Sequence, residues 1–260
     1  FVGSRLDKVV EIPTHVKEIK NFVFNQCELI NSIIFKENAE IELFGECSFL
    51  NSNLTSILIP KSLKIISAHA FLNCEQLKYV QFQKDSQLEL IDKSAFARTI
   101  IEELEIPKHV KKIGKKAFQF CNFLEMISFE EGSEINSICK RAFFGSAISF
   151  LEIPENLVDL QDGWCDGTEN LDMIQISPKN KKFIFLNGEM IISKSDINNQ
   201  SYDTLVFVSR SVENVNIPSF IKCIDPFAFH GTLEILNLEF PEDSQLLVIE
   251  KNAFNYSGIE

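Results

Sequence analysis

The chain has 260 residues and a formal net charge of −12, with 37 acidic side chains against 25 basic ones. That balance opposes nucleic-acid binding, which depends on neutralising phosphates with Lys and Arg, and it opposes unassisted docking on anionic lipid. No run of 18 apolar residues occurs, so no transmembrane helix is predicted, and no secretory signal pattern opens the chain.

Ile-Pro occurs at Ile12-Pro13 and recurs at Ile59-Pro60, Ile106-Pro107 and Ile153-Pro154, a period of 47 held three times. A fixed period of this size marks a stacked array of repeats. Each period divides into two similar units, marked by Ala-Phe or a variant at Val23-Phe24, Ser48-Phe49, Ala70-Phe71, Ala95-Phe96, Ala117-Phe118 and Ala142-Phe143. The marker phenylalanines are spaced 25, 22, 25, 22 and 25 residues apart. Cys165 takes the next slot, and the pattern resumes at Ala228-Phe229 and Ala253-Phe254, giving nine units.

After each marker comes an apolar-x-x-apolar-x-apolar run, such as Leu54-x-x-Ile57-x-Ile59 or Leu124-x-x-Ile127-x-Phe129. Its last positions alternate with period two and predict a short strand with one buried face. Proline closes alternate strands, where its missing N–H is tolerated. The next apolar residues, as in Val110-x-x-Ile113, carry the chain back beneath the sheet. Glycine numbers only ten, so the turns are expected to be made mostly without positive φ. One unit cannot bury its own apolar face, but stacked units share a continuous core. Many of the 24 phenylalanines are expected to form an aromatic ladder within it.

Marker to marker, Cys165 to Phe229 spans 64 residues where 47 are expected, leaving 17 extra. The segment from Phe183 to Ile192 reads as two strands around Asn187-Gly188, a strong hairpin signal. Leu205 to Val208 supplies a third strand. Residues 177–212 are therefore read as an irregular repeat with a hairpin insertion. Such insertions often lie on a binding face, with a tolerated surface bulge or bend as the alternative.

The full pattern Leu-x-x-Ile-x-Ile-Pro-x-x-Val-x-x-Ile-x-x-x-Ala-Phe-x-x-Cys-x-x-Leu runs nearly complete from Ile101 to Leu124. It resembles the BspA-like, or Treponema-type, leucine-rich repeat, over residues 6–176 and 212–254. The resemblance implies a leucine-rich repeat solenoid with a curved parallel β-sheet on one face. Turns and short helical or extended segments would form the other, with the β-hairpin inserted. It implies surface-exposed or secreted proteins that bind macromolecules, and it brings no catalytic residues. Residues 1–260 are read as one elongated domain without polar caps, so both ends look cut.

Seven cysteines are present, and Cys27, Cys74 and Cys121 each follow a marker phenylalanine by three. Two units apart on a ladder is roughly 9–10 Å, beyond the ~7 Å reach of a disulfide. They are expected to be buried thiols near turn carbonyls, with Thr168 and Thr232 in the same slot. No Cys-x-x-Cys pair and no His cluster occurs, so no zinc site and no cofactor are predicted. Unpaired thiols favour a reducing compartment, against the surface location that the resemblance implies. His15 and His109 share a polar turn slot, while His69 and His230 flank markers. In Asp162-Gly163-Trp164-Cys165-Asp166-Gly167 a calcium loop would need more oxygen ligands, and Trp164 is expected to replace the missing phenylalanine. The sequons at Asn53, Asn199 and Asn255 matter only in a secretory compartment.

The functional signal lies on the outward face of the predicted sheet. One outward column reads Val9, Ser32, Ser56, Tyr79, Glu103, Met126, Phe150, Met173. The other reads Glu11, Ile34, Leu58, Gln81, Glu105, Ser128, Glu152, Gln175. Tyr79, Met126, Phe150 and Met173 form a nearly continuous apolar track, flanked by Glu103, Glu105 and Glu152. Exposed aromatics and methionines on a solvated face suggest a contact site. The sequence thus describes a non-catalytic module that binds a protein or glycan, without nucleic acid or membrane insertion, at the cell surface or secreted. The alternatives are a cytoplasmic scaffold whose sheet face is buried in an assembly by self-association, and an enzyme whose site forms across rungs.

Overall fold

The computed structural model of the protein describes residues 9–198 and 200–259. The repeated units stack as rungs with a front strand, a rear strand and a marker loop on three sides, all of which grow from the predicted pattern. Four-residue strands form the front sheet in parallel register. One group comprises Val9–Ile12, Ser32–Phe35, Ser56–Ile59 and Tyr79–Phe82; a second comprises Glu103–Ile106, Met126–Phe129, Phe150–Ile153 and Met173–Ile176. Two-residue strands from Glu18–Ile19 to Asp159–Leu160 form a seven-stranded parallel ladder behind it. The marker loops make the third side. Among the described residues there is no helix, so the expected helical segments are replaced by these loops and minimal strands.

The loops correct a second expectation. In all nine, the residues two before and two after the marker adopt positive φ, eighteen positions of which only four are glycine. The non-glycine set includes Cys47, His69, Lys116, Phe120 and Tyr256. A left-handed conformation costs an ordinary residue about 1–2 kcal/mol, and the bonding pattern offsets it. Cys47, Phe49 and Asn51 donate their N–H groups to the carbonyls of Ala68, Ala70 and Leu72 on the next rung, at 3.1, 2.8 and 3.0 Å. Phe22, Phe24 and Gln26 do the same to Glu46, Ser48 and Leu50. Alternating the sign of φ points successive peptide groups along the stack, so each of the first five loops gains three inter-rung bonds worth about 1 kcal/mol each.

Inside, the marker phenylalanines form the expected ladder. Phe24, Phe49, Phe71, Phe96, Phe118 and Phe143 stack in sequence, with centroids between 4.8 and 5.7 Å apart. At the next unit the sizes are exchanged: Trp164 occupies the alanine slot and Cys165 the phenylalanine slot. The indole meets Phe143 edge-on at 6.4 Å and is buried, so it fills the aromatic row as predicted. Beside the ladder, Cys74 donates to the carbonyl of Phe49 at 3.0 Å and Cys121 to that of Phe96 at 3.1 Å. Ser52 and Thr99, on the intervening rungs, meet those thiols at 3.3 and 3.4 Å. The thiols thus lie against turn carbonyls, and Cys47, Cys74, Cys121, Cys139, Cys165 and Cys223 enter no disulfide.

The insertion folds as the sequence indicates. Phe183–Leu186 and Met190–Ser193 pair antiparallel across Asn187-Gly188, both at positive φ as a type I′ turn requires. Met190–Ser193 then pairs antiparallel with Thr204–Val208, which pairs parallel with Cys223–Ile224 and restarts the rear ladder. Every residue of Met190–Ser193 and Thr204–Val208 is buried. Ile191, Val206 and Phe207 join the core of the preceding units, whereas Met190, Ile192, Leu205 and Val208 join a second core beyond. The hairpin is therefore a septum between two cores, and its strands do not form the exposed binding loop considered from sequence.

Phe96 is fully buried between rings at 5.1 and 5.7 Å, so Phe96→Ala should cost about 3–5 kcal/mol. Lys116, at φ 60°, should respond in opposite directions to two changes. Lys116→Gly is expected to stabilise by about 0.5 kcal/mol and Lys116→Val to destabilise by about 1 kcal/mol or more, since β-branching is the costlier at positive φ. Denaturant titrations check all three.

Candidate partner-binding face

The front sheet displays the predicted outward columns in register. Val9 pairs with Ser32, Ser32 with Ser56 and Ser56 with Tyr79; in the second group Glu103 pairs with Met126, Met126 with Phe150 and Phe150 with Met173. In the other column Glu105 lies opposite Ser128 and Glu152 opposite Gln175. Tyr79 is 58% exposed, Met126 37% and Met173 60%, while Phe150 and Glu152 are half-buried and Glu103 and Glu105 exposed. The core fixes this arrangement: Ile127, Leu151 and Ile174 point inward between the outward residues and are buried.

The track is nevertheless interrupted. Strands Tyr79–Phe82 and Glu103–Ile106 belong to separate hydrogen-bonded groups, so Tyr79 is divided from the other three by an opened rung. Lys78 bridges the opening through a 2.7 Å ion pair with Glu102, and its ammonium lies 5.4 Å from the Tyr79 ring centre. Met126, Phe150 and Met173 remain directly contiguous. A groove of about 810 Å³ runs beside them, lined also by Glu102, Glu103, Phe123 and Glu125. A second, of about 560 Å³, follows the opened rung past Gln81, Glu103, Glu105 and Glu130. Among the described residues Glu103, Glu105 and Glu125 form no ion pair. Phe123, 55% exposed, and Glu125 escape the sequence reading because they lie in the turn that enters the strand, where period-two alternation says nothing.

Histidine and carboxylate do converge, at the joint beyond the insertion. His230 donates from Nε2 to Asp166 at 2.9 Å, while its Nδ1 accepts the Gly167 N–H at 3.2 Å. Arg141 donates to the other oxygen of Asp166 at 2.9 Å. Both ring nitrogens are occupied, and the neighbouring Cys165 thiol is pushed up to about 11 by burial, with Arg210 partly opposing. Arg210, itself buried, donates to the carbonyls of Thr168 and Val208 and stacks on Phe207. These groups fasten residues 63 and 42 apart in sequence, and their saturation suits a joint rather than proton transfer. Asp162 faces Lys251 at 3.4 Å and Lys140 at 3.8 Å, which engages the two carboxylates of the calcium-like sequence separately.

A family model for the BspA-type leucine-rich repeat region matches residues 1–125, 42–172, 89–203 and 195–260. The chain belongs to the BspA-type leucine-rich repeat family. Two solved structures share the fold of this BspA-type chain. The pneumococcal vaccine antigen PcpA superposes with a TM-score of 0.70 at 24% identity, over 92% of this chain and 56% of that one. A leucine-rich cell surface protein from Faecalibacterium prausnitzii superposes with a TM-score of 0.75 at 19% identity, over 94% and 65%. The chain thus spans less than two thirds of either. No curated protein matches it in sequence. Among the described residues no helix is long and apolar enough to cross a membrane. The sequon residues Asn53 and Asn255 are exposed, and Asn199 lies outside the described residues.

One carboxylate at the joint is destabilising when charged. Burial, reinforced by Asp162 and Glu250, raises Asp225 from 3.8 to about 6. A raised folded value means that stability is fully present below the unfolded value and is lost as pH rises from about 4 through about 6. Asp225→Asn should therefore stabilise the protein by about 1–3 kcal/mol at pH 7.5 and leave it nearly unchanged at pH 3.5, as unfolding titrations at the two pH values would measure.

Proposed function

We propose that this chain is a non-catalytic recognition module that takes a protein or glycan partner on its front sheet. The observation that carries the reading is the contiguous outward row Met126, Phe150 and Met173 beside an acidic groove. Apolar side chains held in fixed register offer contact area at little ordering cost, which is what an interface centre needs. Glu103, Glu105 and Glu152, joined by Glu125, favour a basic partner and repel an acidic one. They also oppose pairing of the face with a second copy, which would oppose like charges across a dry interface. This weighs against the scaffold reading by self-association.

Display at the cell surface or secretion, with a part in adhesion or host contact, fits the module best. The Faecalibacterium protein of the same fold is described as a cell surface protein, and PcpA as a vaccine antigen. Tyr79, across the opened rung, acts as an outlying contact rather than as part of the central anchor.

Binding to basic, aromatic-rich peptides and to arrayed glycans, compared with acidic peptides, tests the proposal. Phe150→Ala is expected to weaken retention of a captured ligand about tenfold or more, and Tyr79→Ala by less. Thermal stability of the Tyr79→Ala variant should stay within about 0.5 kcal/mol of the parent. Capture that is indifferent to Phe150→Ala and Met126→Ala would remove the front face from consideration.

A further inference from the structure

The loops carry a second constellation, formed only by stacking. Cys47 and His69 occupy the same slot on consecutive rungs, each two residues before its marker phenylalanine, and both have positive φ, at 54° and 59°. The Cys47 N–H donates to the carbonyl of Ala68 at 3.1 Å, tying the two loops together immediately beside the imidazole. Glu46 extends to the same place, with its Oε1 3.7 Å from His69 Nδ1. One sulfur, one nitrogen and one oxygen donor thus lie within 4.8 Å of one another. Among the described residues no other group of three such side chains does so.

We propose that Glu46, Cys47 and His69 bind one zinc-class divalent cation, clipping the second and third rungs together. A thiolate, an imidazole and a carboxylate make a mixed set suited to a tetrahedral, borderline-soft ion, with bonds of about 2.0–2.3 Å. Such bonds need the three donor atoms within roughly 3.3–3.8 Å of each other. The Glu46–His69 separation already meets this, and the exposed Glu46 side chain is free to move. Cys47 is 8% exposed, so the ion would reach its thiol from the loop surface. Its fourth position would be left to water or to a donor from a partner. Uptake releases the Cys47 proton, so affinity rises with pH. The slot holds Phe22 and Ser94 on the flanking rungs, so the donors are confined to this one pair of loops.

Titration of the reduced full chain with Co²⁺, read by its thiolate-to-cobalt charge-transfer band and reversed by Zn²⁺, provides the test. One equivalent should bind, and C47S should abolish the band. That variant places serine where Ser94 already stands two rungs away. E46Q and H69N should each lower affinity about tenfold or more; asparagine tolerates the positive φ of His69. C223S, which alters the cysteine that is least buried, should leave binding unchanged. Thermal melts without metal identify any variant that is unfolded, and the conservative E46Q and H69N changes then decide the matter. No band in the parent protein, a band that survives C47S, or one lost in C223S would overturn the site.

Discussion

Everything in this molecule follows from the requirement that each rung match the next. A marker loop is stabilised when its N–H groups find the carbonyls of the following loop, three per rung in the first five, and when its phenylalanine meets a ring about 5 Å away. Neither condition can be met by one unit alone, which is why stability in such an array is a sum of neighbour terms. The requirement is strong enough to hold Phe, Lys, Arg and Tyr side chains at positive φ, where an isolated chain would place glycine or asparagine. Many side chains are consequently tolerated at these slots at a modest cost in stability, whereas the backbone geometry is fixed.

The insertion shows what happens when the rule is broken and repaired. Seventeen additional residues would leave the marker row without a partner, yet Phe207 reaches the Trp164 ring at 6.0 Å and closes the row from a different element. Met190, Ile191 and Ile192 alternate between the two cores, as strand geometry dictates when both faces are covered, while a register shift in the facing strand sends both Val206 and Phe207 to the first core. The saturated group around Asp166, with Arg141 and His230, then fastens the backbone on either side. A histidine beside a carboxylate is here a fastening, because each of its nitrogens already has a partner.

Repetition made most of this fold readable in advance. The marker spacing located nine loops, the alternating run located the front strands and their outward columns, and Asn187-Gly188 located the hairpin turn. Three features escaped because no local pattern encodes them. Positive φ at Lys116 or Arg141 is imposed by the neighbouring rung, so scarcity of glycine was the wrong guide. The burial of Met190–Ser193 on both sides depends on units that precede and follow it. The opened rung between Tyr79 and Glu103 falls at an ordinary spacing of 24 residues, and the sequence shows no irregularity there. Of the candidate face, the outward side chains were legible because strand alternation assigns them directly, while Phe123 and Glu125 were not, because they enter from the turn.

A solenoid of this kind builds chemistry from residues that are 22 to 25 apart, not from residues that are close in sequence. Met126 and Phe150 are 24 apart and Cys47 and His69 are 22 apart, yet each pair occupies one slot on adjacent rungs. Searches for short motifs are blind to such pairs: the absence of Cys-x-x-Cys says nothing about cysteine and histidine stacked one rung apart. The useful reading frame is the slot, with each slot taken as a column and its consecutive members as neighbours. In the buried columns that frame returns phenylalanine, cysteine, serine and threonine, all explained by packing and by turn carbonyls. In the exposed columns packing imposes no such choice, so an apolar run beside carboxylates without ion-pair partners stands out there as a feature that packing does not explain.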